Sequence, residues 1–137
     1  MVNNLIEYYT NLADELNICD SEMVRIAIGF IPEKIEMIQL ITTILLTEMN
    51  NRNRKDLMFN VISTARKYYP GTFKLELAKC YQYGYGVEQN LDLAIQMYKE
   101  MVSKHCYKSQ VSYMLGKIYK DIDIEESGRW FINGCSI

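Results

Sequence analysis

The stretch from Leu77 to Tyr98 constrains the fold of this chain more than any other segment. Helix-forming sequence stands on both sides of the turn Gly84-Tyr85-Gly86-Val87, and Asn90 is placed to cap the second helix. The two glycines can adopt positive φ without steric cost, so the chain can reverse its direction at this turn. The stretch therefore predicts a helical hairpin.

A partial copy of this pattern follows further along the chain. Leu77 recurs as Leu115 and Tyr81 as Tyr119, in both cases after 38 residues. A period of this size with two helices in each unit is typical of an α-solenoid, in which stacked neighbours bury the apolar stripe that one hairpin leaves exposed. We therefore predict an all-α fold, an α-α superhelix (solenoid) of about four helix hairpins. A four-helix bundle with coincidental spacing is the alternative.

Hydrophobic periodicity and helix-capping residues set the predicted helix boundaries. The predicted helices cover residues 3–16, 22–28, 33–49, 54–69, 72–83, 91–103, 109–120 and a last segment that ends near 134. The predicted N-caps of the second half of the chain are Thr72, Asn90, Ser109 and either Asp121 or Asp123. The helix over 33–49 is apolar almost all round, so we expect it to have neighbours on most sides.

The segment from Thr72 to Lys104 resembles the Sel-one-like repeat, a relative of the tetratricopeptide repeat. Its turn glycines and the small and aromatic residues of both helices match the pattern of that family, and the last unit matches it in part. The matching residues are Leu77, Ala78, Tyr81, Gly84, Gly86, Ala94, Tyr98, Leu115, Gly116, Tyr119, Trp130 and Phe131. The resemblance implies a helical-repeat fold and a role in protein–protein interaction, and it implies no catalytic residue.

We interpret these motif residues as structural. Small residues at Ala78 and Gly116 would let two helices approach closely, and the aromatic residues would fill the space between neighbouring helices. The chain is then one helical-repeat domain over residues 1–137. Residues 1–70 form divergent helix pairs, 71–106 a clear Sel-one-like repeat and 107–137 a partial, capping repeat.

No group of residues in the sequence suggests a catalytic centre, a metal site or a cofactor. The only histidine, His105, is interpreted as a capping or solvent-exposed residue past a helix end. The acidic cluster of Asp121, Asp123, Glu125 and Glu126 is interpreted as a complement to a helix N-terminus, although paired carboxylates can also bind Mg²⁺. Four widely spaced cysteines are predicted to be reduced core thiols: Cys19, Cys80, Cys106 and Cys135.

Two lysines one period apart give the clearest functional hypothesis. Lys79 and Lys117 each follow the small-residue position of a first helix, and in a solenoid the first helices line the concave face. The predicted strip on that face consists of Lys74, Lys79, Tyr83, Tyr113, Lys117 and Lys120. A basic, partly aromatic strip of this kind would complement a protein with an acidic surface.

These observations favour a non-catalytic protein-binding module that acts by occupancy, as an adaptor or a stoichiometric inhibitor. An origin in a phage, virus or pathogen that blocks a host complex is one hypothesis. The alternative is binding of RNA or single-stranded nucleic acid through Arg52, Arg54, Lys55 and exposed tyrosines, although a net charge of −2 disfavours it. The sequence leaves a homodimer open. We expect no membrane partner, no signal peptide and a cytoplasmic location in the producing cell or an infected host.

Overall fold

The computed structural model describes residues 2–18, 21–34 and 36–135 of the chain. Over these residues the protein contains eight α-helices, one 3-10 turn and no β-strand, which confirms the predicted all-α class. The helices are α1 (Val2–Glu15), α2 (Ser21–Gly29), α3 (Met37–Asn51), α4 (Met58–Tyr68), α5 (Lys74–Tyr83), α6 (Leu91–Ser103), α7 (Lys108–Tyr119) and α8 (Ile124–Cys135). The 3-10 turn, Lys55–Leu57, precedes α4. No helix in these residues has both the length and the apolar composition needed to cross a bilayer.

The chain divides into two compact units. Unit 1 consists of Met1–Phe73 and Tyr85–Val87, and unit 2 consists of Lys74–Gly84 and Glu88–Ile137. In unit 1, each of the helices α1 to α4 packs against the next one along the chain. Its core contains a buried polar pair, in which the Tyr9 hydroxyl lies 2.5 Å from the Thr42 hydroxyl. Burial raises the pKa of Tyr9 to about 12, because the charged form would lose its hydration.

Unit 2 is built in the same sequential way from α5 to α8. The hydrophobic cluster of its core contains Leu75, Ala78, Ala94, Tyr98, Met101, Val111, Met114, Leu115 and Ile118. Within it, the hydroxyl of Tyr98 donates a 2.7 Å hydrogen bond to Oε1 of the buried Gln82. Four of the predicted motif residues, Ala78, Ala94, Tyr98 and Leu115, are fully buried here.

Two of the predicted helix caps are confirmed. The Asn90 side chain accepts a 3.1 Å hydrogen bond from the Leu93 backbone N–H at the start of α6. The Asp123 carboxylate accepts from the backbone N–H groups of Glu125 and Glu126 at the start of α8. Both residues satisfy amides that have no partner inside the helix.

The other two predicted caps are wrong. The Thr72 hydroxyl donates backwards to the Tyr69 carbonyl, and α5 begins only at Lys74. The residue that precedes α7 is Tyr107, in the left-handed conformation and without a side-chain cap. Ser109 instead lies in the first turn of α7, where its hydroxyl donates a 3.1 Å hydrogen bond to the Gly134 carbonyl.

The predicted helix over 33–49 begins later and is less enclosed than expected. Residues Glu33 and Lys34 donate their backbone N–H groups to the Phe30 carbonyl, so this segment forms turns, and α3 begins at Met37. One face of α3 packs into unit 1, but Leu40 on another face is 53% exposed. The prediction of neighbours on most sides is therefore wrong for the face that carries Leu40.

The two glycines of the predicted turn both adopt positive φ, +73° at Gly84 and +79° at Gly86. At Gly86 the backbone also lies against the carbonyl group of Asp56, so a side chain there would overlap with the carbonyl oxygen. Gly71, after Pro70, has φ +88° but open space around it. Gly86 is thus required both for its conformation and for a close contact.

The cysteines differ in their environments. Cys80 is buried as predicted, whereas Cys106 and Cys135 are exposed, so the core assignment is wrong for these two. Cys106 lies between α6 and α7 and Cys135 is the last residue of α8, and none of the described elements covers either side chain. The fourth prediction, Cys19, lies outside the described residues.

Thiol labelling should separate these cysteines. Burial, with a smaller contribution from Glu76, raises the pKa of the Cys80 thiol to about 12. At a pH of about 8, Cys80 is therefore protonated as well as occluded, and only thiolates react readily. In a Cys19→Ser variant, we expect maleimide to modify Cys106 and Cys135 in the folded protein and Cys80 only in denaturant. Intact-mass spectrometry counts the adducts, and a third adduct in the folded state would contradict the burial of Cys80.

Candidate functional site

The structure brings together three residues of the predicted strip on one exposed part of unit 2. Lys117, on α7, donates from Nζ to the Tyr83 hydroxyl at 3.4 Å and lies over the Tyr113 ring at 5.5 Å from its centroid. The side chains of Tyr83 and Tyr113 are 41% and 55% exposed. We call Tyr83, Tyr113, Lys117 and the adjoining Phe131 the Lys117 cluster.

Phe131, on α8, forms the base of the Lys117 cluster. Its ring centroid lies 5.8 Å from that of Tyr113, with the two planes inclined by 50°. The edge of the Phe131 ring occupies the space where a side chain at Gly116 would be. The Ser127 hydroxyl, which donates 2.6 Å to the Gly116 carbonyl, further fixes α8 on α7. The predicted role of Gly116 in close helix approach is confirmed.

Sequence reasoning assigned Phe131 only a structural role and so missed its place beside the candidate site. The contact with Tyr113 depends on the rotation of α8 relative to α7. The small residue at Gly116 was the available signal, because it leaves room for an aromatic ring from the next helix.

The other three lysines of the predicted strip remain outside these contacts. Lys74 is exposed in the first turn of α5, where its charge helps to lower the pKa of Glu100, although a hydrogen bond from Lys104 is the larger cause. Lys79 is half-buried on α5, and Lys120 is exposed directly after α7. The compact candidate site is therefore smaller than the predicted strip.

The basic loop of the nucleic-acid alternative lies in unit 1, and its arginines are engaged in ion pairs. Arg52 pairs with Glu48 at 3.1 Å, and Arg54 pairs with both Glu15 and Asp56 at 3.2 Å. The hydrogen bond from Arg54 lowers the pKa of the Asp56 carboxyl. The third basic residue of the loop, Lys55, lies 5.1 Å from the centroid of the Tyr85 ring. Phosphate binding at this loop would compete with these carboxylates.

The acidic cluster near α8 has structural partners. Asp123 caps the helix, and Glu126 accepts hydrogen bonds from Arg129 at 2.8 Å and from the Trp130 indole at 3.0 Å. The bond from Arg129 lowers the pKa of Glu126. Within the described ranges, no three His, Cys, Asp or Glu side chains are grouped closely enough to hold a metal ion. His105 is exposed and has positive φ just after α6.

Comparison with known proteins gives no relative on which a site could be based. No family model, no curated protein and no solved structure matches the chain.

Proposed function

We propose that this protein is a non-catalytic protein-binding module and that its Lys117 cluster contacts an acidic segment of a partner protein. The observation that carries the proposal is the exposed arrangement of one ammonium group between two tyrosine side chains. Binding by occupancy suits either an adaptor or a stoichiometric inhibitor.

The chemistry of Lys117 favours a carboxylate ligand. A lysine ammonium has three N–H donors, and one of them is directed at the Tyr83 hydroxyl. Its remaining N–H groups, on the exposed side of α7, can donate to the carboxylate of a partner's Asp or Glu side chain. A charge-assisted bond of this kind is stronger than one between neutral groups.

The tyrosines favour a polypeptide ligand. Tyrosine rings supply large, rigid contact surfaces and are enriched among the residues that dominate binding energy at protein interfaces. Tyr113 is supported on one side by the Phe131 ring and on another by the Lys117 ammonium. Little conformational freedom would therefore be lost when a partner packs against it.

The proposal also includes a specific all-α fold, the Sel-one-like superhelix. Two helix pairs of unit 2 support it, α5 with α6 and α7 with α8. Further support comes from the matching positions, which are buried at Ala78, Ala94, Tyr98 and Leu115 and partly buried at Tyr81, Tyr119 and Trp130. In such an array, binding surfaces form from residues that recur once in each unit. Lys117 and Lys79 recur in this way, because they lie 38 residues apart, which is one period of the sequence.

A display selection can test the proposed ligand class. We expect a random dodecapeptide library, selected on the whole protein, to yield peptides with clustered Asp or Glu and an apolar residue. Lys117→Glu should lower the affinity for a selected peptide by about tenfold or more, because repulsion between like charges replaces attraction. Fluorescence anisotropy with the labelled peptide measures this change. A double variant, Lys117→Glu with Lys79→Glu, tests whether the wider predicted strip also contributes to binding.

Lys34→Glu provides the matched control, since it reverses an exposed lysine in a turn of unit 1 with the same change in net charge. The affinity of Lys34→Glu for the selected peptide should equal that of the unmodified protein. Circular dichroism should show the same helix content in Lys34→Glu and Lys117→Glu. Selected peptides without an acidic excess, or equal affinities for Lys117→Glu and Lys34→Glu, would refute the proposal. Preferential binding of oligouridylate, lost in Arg54→Glu, would instead favour the RNA alternative.

A further inference from the structure

The outer face of α8 carries an apolar stripe that the proposed function does not use. Ile124 and Ile132 are each 69% exposed, and Cys135 is exposed as well. Gly128 lies between the two isoleucines, and a side chain added there would meet no other atom. These four residues follow one another at steps of four, four and three, so they lie on one side of the helix. We call them the α8 stripe.

We propose that the α8 stripe is a homodimer interface in which α8 of one copy packs antiparallel against α8 of a second copy. A two-fold axis at Gly128 would bring its backbone against Gly128 of the other copy. The same register places Ile124 opposite Ile132 in both directions, because the two residues are equally far from Gly128. The stripe is thus self-complementary, as a two-fold interface must be.

The charges beside the stripe fit the same register. Glu125 and Arg129 lie along one edge of the stripe, and both are exposed. Arg129 donates to Glu126 of its own chain at 2.8 Å, and its guanidinium has further N–H donors for a second carboxylate. In an antiparallel pair related by a two-fold axis, the edge of the stripe that carries Glu125 and Arg129 lies beside the same edge of the other copy. Glu125 of each copy then lies across from Arg129 of the other, which gives two opposite-charge contacts. A parallel pair would not provide this reciprocal match, so the charge pattern favours an antiparallel second copy as the occupant.

The size of the interface determines how it should be observed. One face of a 12-residue helix buries less than the roughly 1,200 Å² typical of stable complexes. The dimer should therefore be reversible, with a dissociation constant in roughly the micromolar to millimolar range. Because the α8 stripe and the Lys117 cluster share no residue, variants of one set test one proposal without changing the other set.

Sedimentation equilibrium of the full chain over a range of concentrations tests the dimer. As the protein concentration increases, we expect the apparent mass to rise from the mass of one chain toward the mass of two chains. Ile124→Asp should abolish the rise, whereas the control Ile122→Asp, at a 61% exposed isoleucine in the preceding turn, should leave it unchanged. A monomer at every concentration, or equal effects of the two variants, would overturn the proposal.

Charge exchange tests the edge contacts. Glu125→Arg should weaken the dimer by about threefold to tenfold, because two like-charge contacts replace two attractive ones. Adding Arg129→Glu to the same chain should restore most of the affinity. No recovery in the double variant would exclude the proposed pairing of the edges.

Variants with one exposed cysteine test the orientation, in a background that carries Cys19→Ser, Cys106→Ser and Cys135→Ser and keeps the buried Cys80. Gly128→Cys should form a disulfide-linked dimer on mild oxidation. Ile124→Cys and Ile132→Cys should each fail to link alone but should link when mixed. Linking of Ile124→Cys with itself would show a parallel pair, and no link in any variant would contradict the interface.

Discussion

Gly86→Val should lower the free energy of unfolding of unit 1 by about 3–5 kcal/mol. Two effects add at this position. A β-branched residue at φ +79° is held in a strained backbone conformation, which costs about 1–3 kcal/mol. The new side chain would also overlap with the Asp56 carbonyl and crowd Phe59, so the 85–87 segment would have to move away from the 3-10 turn.

Gly71→Val separates these two effects. Gly71 also has positive φ, but its surroundings are open, so only the conformational cost of about 1–3 kcal/mol should remain. Native-state hydrogen exchange at the buried Val61 and Ile62 amides of α4 measures both losses within unit 1. Equal losses for the two variants would show that the contact of Gly86 with Asp56 does not contribute to stability.

Tyr98→Ala should destabilise unit 2 by about 3–5 kcal/mol, because it leaves a cavity in the centre of the core. Tyr98→Phe should cost less, about 1–3 kcal/mol, since it removes the hydroxyl alone but leaves Oε1 of Gln82 buried without its partner. Trp130 is the only tryptophan and packs against this core. Its fluorescence during urea unfolding therefore reports on unit 2.

Two further variants make the hydrogen bond itself testable. Tyr107→Phe removes a hydroxyl from a side chain that is 61% exposed, and we expect no change in stability. The double variant Tyr98→Phe with Gln82→Met replaces both polar partners by apolar groups, so it should be more stable than Tyr98→Phe alone. A Tyr98→Phe protein as stable as the unmodified one would mean that the bond makes no net contribution.

Features decided within a few residues were the ones that could be predicted from the sequence. The caps at Asn90 and Asp123 depend on amides two or three residues away, and the positive φ of Gly84 and Gly86 follows from a turn between two helices. Burial at Ala78 follows from the helical period of its neighbours. For such features the local sequence contains nearly all of the relevant physics.

Features that depend on distant partners could not be predicted in the same way. Ser109 has the chemistry of an N-cap, but its hydroxyl binds the Gly134 carbonyl, which lies 25 residues away in the chain. Cys106 is apolar enough for a core, but residue type does not say which neighbour covers it. In the Lys117 cluster, the period related Lys117 to Lys79, and Tyr83 was predicted to belong to the same strip, whereas the contact with Phe131 required the packing of α8.

The polar pairs within the two cores, Tyr9 with Thr42 and Tyr98 with Gln82, restrict how this sequence can diverge. An apolar core position can exchange one aliphatic residue for another of similar volume in a single step. A hydroxyl paired in the interior has no such freedom, because the loss of one partner leaves the other buried without a hydrogen bond. In related chains, these two pairs should therefore change together or remain unchanged, even where the surrounding core residues drift independently.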